Sequence, residues 1–180
     1  MLSADFPEML TLKEAGLSIN VEETGTTFEQ NAALKAEAVL AASGFDAALA
    51  DDSGLAVDAL HGAPGVYSAR YAGEGHNDAE NNAKLMADTA DVPDEQRTCR
   101  FVCAAALARR NRPTLVATGV CEGTLLSAPR GENGFGYDPY FYYAPFHKSF
   151  AELSAGEKNS VSHRRRALEA LKALLAAEKV

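Results

Sequence analysis

The chain has 180 residues, of which 47% are hydrophobic and 23% charged, a balance that fits one globular domain and excludes disorder and collagen-like repeats. No run approaches the roughly 18 consecutive apolar residues of a membrane span. Seventeen Lys and Arg against 25 Asp and Glu leave a net charge of −8, which argues against binding nucleic acid through phosphate neutralisation; an anionic ligand must meet a local cluster of cations.

Taken in chain order, Met1 to Met9 lack the basic and apolar regions of a secretory signal, so a cytoplasmic location is expected. Thr27 and Gln30 fit a capping box ahead of an alanine- and leucine-rich stretch that stops at Gly44, predicting a helix over 28–43. Ala47 to Ala50 reads as a short buried strand, followed by a polar turn at Asp51-Asp52-Ser53-Gly54 that puts the carboxylates at its C-terminal end. Residues 62–65 make a turn, and Asp78 can cap a helix over 79–89 that ends before Pro93. Arg100 to Ala108 and Leu115 to Glu122 read as two longer strands, with Cys99, Cys103 and Cys121 as buried thiols. Gly131 to Tyr137 is a flexible loop, and Tyr140 to Tyr143 a short aromatic strand. Ser162 caps a final helix in which Leu168, Leu171, Leu174 and Leu175 recur at helical spacing. Together these elements predict a single domain of the α/β class, a sandwich with a mixed sheet.

Three clusters could carry chemistry. Asp52 with a distant partner, Glu22 or Glu23, suits Mg²⁺, which takes one or two carboxylates plus water and substrate phosphates; the alternative is a solvated acidic turn. Neighbouring side chains on a strand face opposite ways, so Asp51 and Asp52 share a face only where the chain bends. His163, Arg164, Arg165 and Arg166 put positive charge where a helix dipole disfavours it, so either a bound phosphate or carbonyl or nearby glutamates should compensate. In Gly134-Phe135-Gly136-Tyr137-Asp138, glycines let the backbone approach a ligand beside rings that can stack on a base, or the rings plug the core. His61, His76 and His147 lack ligand spacing, Lys35 reads as solvated, and neither a P-loop nor a dinucleotide fingerprint is present.

In order along the chain, five blocks resemble the inosine/xanthosine triphosphate pyrophosphatase family. They are Glu22-Glu23-Thr24-Gly25 with Thr27-Phe28-Glu29, Asn31-Ala32 and Lys35-Ala36; Ala50-Asp51-Asp52-Ser53-Gly54-Leu55; Gly62 through Tyr71; Gly134 through Pro139; and Glu152-Leu153-Ser154 with Lys158-Asn159 and Ser162-His163-Arg164. This resemblance implies a two-lobed fold with the active cleft between lobes, a homodimer, and Mg²⁺-dependent hydrolysis of ITP, dITP and XTP to the monophosphate and diphosphate. It implies Asp52 as metal ligand and proton acceptor and Glu23 as second ligand. Lys35 and Ser53 would contact the nucleotide, Phe135, Gly136, Tyr137 and Asp138 would form the base pocket, and Lys158, His163 and Arg164 would read the purine.

The family pattern also begins with a strand running into a Thr-Gly-Asn-x-x-Lys phosphate-binding turn, which this sequence lacks; Met1 to Glu8 resembles the helix after it. Roughly 15 to 20 residues are expected to be missing, by typical element lengths. Two expectations compete, a natural protein that carries the missing element upstream of Met1 and a shortened nucleotide-binding or dimer-forming relic without turnover; retention of Glu23, Lys35, Asp52, Lys158, His163 and Arg164 favours the first.

Overall fold

A computed structural model of the chain describes residues 9–178, so the helical expectation for Met1 to Glu8 lies outside the described residues. The first helix, α1, runs Phe28–Ala42. Thr27 caps it by accepting from the Gln30 N–H at 3.2 Å, while the Gln30 side chain accepts from the Thr26 N–H at 2.8 Å, one residue earlier than in a capping box. Ser43, not Gly44, closes the helix.

Strand β1 spans Ala47–Val57 and corrects the expected turn: Asp51 to Gly54 are strand residues and the carboxylates lie mid-strand. The turn chemistry of that segment loses because Leu55 and Val57, both 0% exposed, reach the core only if the alternation continues through it. Helix α2, Asp78–Asp88, is capped by Asn77 rather than Asp78; the Asn77 Oδ1 accepts from Ala79 N–H at 3.0 Å. Strands β2 (Thr98–Arg109) and β3 (Arg112–Leu125) are joined by Arg110-Asn111, where Asn111 takes a left-handed φ of 57°. The aromatic strand is β4, Phe141–Tyr143, and Ser162 precedes the last helix, His163–Ala177.

Among the strands and α-helices of the described residues, two went unanticipated, the short strand β5 (Lys148–Ser149) and helix α3 (Ala155–Val161). Each adjoins a reciprocal capping box, Ser149 with Glu152 and Ser154 with Glu157, whose Ser-x-x-Glu spacing was visible in the sequence. The last helix is α4.

The sheet runs β1-β2-β3-β4-β5 in sequence order. The Arg110 N–H donates to Asp46 O at 3.0 Å and the Thr98 hydroxyl to Asp58 at 2.6 Å, so β2 ends where β1 begins. A two-residue connection forces β2 and β3 antiparallel, and β4 pairs antiparallel with both neighbours. The α/β class therefore holds, with an antiparallel sheet in place of the expected mixed one.

The described chain forms two compact units. In the first (residues 9–52, 104–119 and 164–178), Ala32 and Ala36 of α1 meet Ala104, Ala106 and Ala108 of β2, each at most 1% exposed. Side chains this small let a helix backbone lie close on a strand, which explains the alanine bias. In the second (53–103 and 120–163), Phe101, Phe141 and Phe150 pack with ring centroids 4.6 to 5.7 Å apart among Leu55, Leu85, Leu125 and Leu153. Gly123 makes room for them: a Cβ there would lie 2.4 Å from the Phe141 ring. Arg97, 4% exposed, donates to Thr89 O, Val92 O and Leu125 O and to the Thr89 hydroxyl, tying the end of α2 to β3. The three cysteines are free and buried, as expected. His61, His76 and His147 all take a left-handed φ near 50°.

Candidate functional site

In the first unit, α1, β1 and the segment before α1 assemble a partly buried charge cluster. Asn31 and Lys35 are four residues apart and so share one face of the helix. The Lys35 Nζ lies 2.7 Å from Asp52 Oδ1 and 3.0 Å from Glu23 Oε1, so Glu23 is the member of the Glu22-Glu23 pair that joins Asp52 on this ammonium. Asn31 Nδ2 donates to Asp52 Oδ2 at 3.3 Å, and Asn31 Oδ1 accepts from the Gly25 N–H at 2.8 Å. Gly25 must be glycine here, since a Cβ would stand 2.5 Å from that amide oxygen. Lys35, expected in solvent, is thus engaged, with its side chain 23% exposed.

Burial raises the pKa of Asp52 above the usual aspartate value, and the nearby Glu23 charge adds to it, against the opposing pull of Lys35 and Asn31. For Lys35 burial disfavours the ammonium, but the hydrogen bonds and charges of Asp52 and Glu23 outweigh it and hold the pKa above the ordinary lysine value. Two carboxylates converging on one cation form a donor set that fits a hard divalent ion completed by water and phosphate oxygens. Among the described residues, no group of three or more His, Cys, Asp or Glu could hold a metal unaided. The ammonium and Glu23 also line a cavity of about 850 Å³ whose other walls are mainly apolar, including Leu12, Leu17, Ile19 and Leu49.

Because β1 stays extended, Asp51 faces away from Asp52 and instead accepts from Arg164 Nε and Nη2 at 3.1 and 2.9 Å. Arg165 pairs with Glu169 at 2.6 Å. Carboxylates therefore neutralise two of the cations that open α4, the glutamate-type alternative raised by the sequence. Ser53 follows Asp52 on β1 and is half-buried.

In the second unit the aromatic loop is held by hydrogen bonds and an ion pair. Phe135 and Tyr137, paired in the sequence reading, separate: Phe135 is 68% exposed, while Tyr137 is 5% exposed in the core and donates its hydroxyl to Ser68 O at 2.7 Å. Burial and the neighbouring Tyr71 and Asp78 raise the Tyr137 pKa, so the phenol stays a donor. Asp138, 2% exposed, accepts from the Phe135 N–H at 2.9 Å and forms an ion pair with Lys158. Lys158 Nζ stands 4.7 Å above the Phe135 ring centroid, a cation–π arrangement that fixes both groups. Gly134 has φ 79°, and a Cβ on it would fall 2.1 Å from Asp138 Oδ2. Gly136, φ 59°, is gripped by α2: its N–H donates to Asp78 Oδ2 at 2.7 Å and its carbonyl accepts from Asn82 Nδ2 at 3.0 Å.

The structure thus brings together Glu23, Lys35 and Asp52 in one unit and Phe135, Gly136, Asp138 and Lys158 in the other. Of the residues expected to read the purine, Arg164 is paired with Asp51, and His163, 8% exposed, stacks on Phe101 with centroids 4.8 Å apart. No role follows from the sequence for Asn31 or Asn82, and for Asp78 only that of a helix cap. A signal existed for Asn31: an asparagine inside an alanine-rich helix is disfavoured unless its side chain has work to do, and it lies one turn before Lys35.

The Ham1 family model matches residues 1–174 of the chain. A dITP/XTP pyrophosphatase of Geobacillus kaustophilus is 56% identical over 152 residues, covering 84% of this chain and 74% of that protein. The Staphylococcus aureus Ham1 protein superposes with a TM-score of 0.89 at 42% identity, covering 98% of this chain and 92% of that one. A nucleoside-triphosphatase / dITP/XTP pyrophosphatase from Mycobacterium abscessus gives a TM-score of 0.78 at 44% identity, covering 94% and 87%.

Proposed function

The chain belongs to the Ham1 family, and we propose that it is a metal-dependent pyrophosphatase that hydrolyses dITP, ITP and XTP to the monophosphate and diphosphate. The observation that carries this reading is the buried Asp52 carboxylate, oriented by Asn31 and sharing the Lys35 ammonium with Glu23.

Water attacks a phosphorus of the triphosphate chain, the bond to its bridging oxygen breaks, and diphosphate departs. Asp52 accepts the proton of the attacking water, a role that burial favours by raising its proton affinity. Lys35 offsets charge on the phosphates. Asp52 and Glu23 would hold Mg²⁺, which when bound neutralises phosphate charge and lowers the pKa of water. The exposed Phe135 ring stacks on the base, with Lys158 beside it as a donor. A donor there suits a 6-oxo purine, whereas adenine presents an amino group and leaves the donor unpaired. A cytoplasmic homodimer is part of the same reading, supported by the family resemblance. No helix among the described residues is long and apolar enough to cross a membrane.

The test is diphosphate release from dITP, XTP and dATP with Mg²⁺ and with excess chelator. Rapid release from dITP and XTP that the chelator stops is expected. Equal rates for dATP, or release that persists in chelator, would overturn the reading.

A further inference from the structure

Helix α2 carries polar residues that the hydrolytic reading does not use. Asp78 and Asn82 are four residues apart and therefore share a face, and both hold the same residue, Gly136, one by its N–H and the other by its C=O. Asn81, immediately before Asn82 and 3% exposed, accepts from the Ala72 N–H at 2.7 Å and donates to Ala69 O at 3.0 Å. Asn81 thereby anchors α2 to the segment whose Ser68 carbonyl holds Tyr137. The Phe135 ring, by contrast, is 68% exposed, so its orientation is inherited from the backbone and from Lys158.

Asn82 also has a buried Oδ1 without a hydrogen-bond partner in the structure, a cost that an apolar side chain would not incur. Asn82 makes its Nδ2 bond to Gly136 despite that orphan.

We propose that Asp78 and Asn82 are positioning residues that fix the Phe135 loop and so set affinity and selectivity for the base. The inference rests on reading Phe135 as the base platform, but its structural half can be tested without substrate. The chain has no tryptophan, so Phe135→Trp places a sole indole on the loop.

In that background, Asp78→Ala with Asn82→Ala is expected to lower the fluorescence anisotropy of the free protein and to weaken quenching by dIMP ~10-fold, as loss of a few positioning bonds does. Asp78→Asn keeps an acceptor for the Gly136 N–H and is expected to restore both signals when Asn82 is intact. With Phe135 in place, the double variant should raise KM for dITP ~10-fold while kcat changes less than ~3-fold, because the hydrolytic residues are untouched. Circular dichroism confirms folding, and Asn82→Asp, which turns the donor into an acceptor, gives a second perturbation if the double variant is unfolded. Unchanged anisotropy and unchanged KM in folded variants would overturn the proposal. A parent protein that does not hydrolyse dITP overturns the functional reading instead, and anisotropy alone then decides whether α2 positions the loop.

Discussion

Asn31→Ala isolates the contact on which the geometry of Asp52 depends. Asn31 is fully buried and makes two bonds, one from Gly25 N–H and one to Asp52 Oδ2. Truncation leaves a carboxylate oxygen without its donor in a side chain 9% exposed, and a backbone N–H that is half-buried. At about 1–3 kcal/mol for a buried unsatisfied group, with the Gly25 amide at the low end because water can reach it, the loss sums to about 3 kcal/mol. For a chain of this size that lowers Tm by about 6–12 °C.

Asn31→Asp sharpens the test, because it keeps the shape and the acceptor for Gly25 but sets a second carboxyl against Asp52. The folded-state pKa of the pair then rises further, and like-charge repulsion makes the folded state bind more protons than the unfolded state. Stability is therefore present at low pH and is lost as pH rises through the raised folded value. Urea denaturation followed by circular dichroism from pH 4 to pH 8 measures both effects. A stability of Asn31→Ala within about 0.5 kcal/mol of the parent would refute the reasoning, as would a pH-independent gap between the two variants.

Asp52→Asn is expected to reduce diphosphate release at least ~100-fold, the scale of a general base, while Tm holds or rises. The sign follows from the raised pKa of Asp52: its ionisation costs folding free energy as pH rises past the unfolded value, and a neutral amide escapes that cost. Phe135→Ala should leave urea stability within about 0.5 kcal/mol, since the ring is 68% exposed, yet raise KM for dITP ~10-fold through lost stacking. Arg97→Met should cost about 3–5 kcal/mol in the same denaturation assay, because three carbonyls and the Thr89 hydroxyl lose a buried cationic donor.

Much of the fold was legible where a residue's local chemistry and its burial agree. Thr27 both favours and occupies an N-cap, so α1 was placed to within a residue. At Asp51 to Gly54 they conflict: the residues have turn chemistry, but the extended path is fixed by Leu55 and Val57 beyond them. The mixed sheet failed for a related reason. Strands alternating with helices early in the chain suggested a mixed sheet, whereas direction was decided by which end of β1 the start of β2 reaches, a long-range fact recorded in the Thr98–Asp58 and Arg110–Asp46 contacts.

By itself the sequence determined the chemical inventory: acidic residues and a lysine at motif spacing, glycines around aromatic rings, and an order of blocks that identified the family. Tertiary structure alone decided how that inventory is shared out. Asp51 and Asp52 are adjacent in sequence but face opposite ways, so one takes Arg164 and the other Lys35. Phe135 and Tyr137 sit two apart, yet the left-handed Gly136 between them leaves one ring exposed and the other in the core. Asn31, Asp78 and Asn82 act through backbone amides and a neighbouring carboxylate, and such partners are set by where the chain passes rather than by residue type.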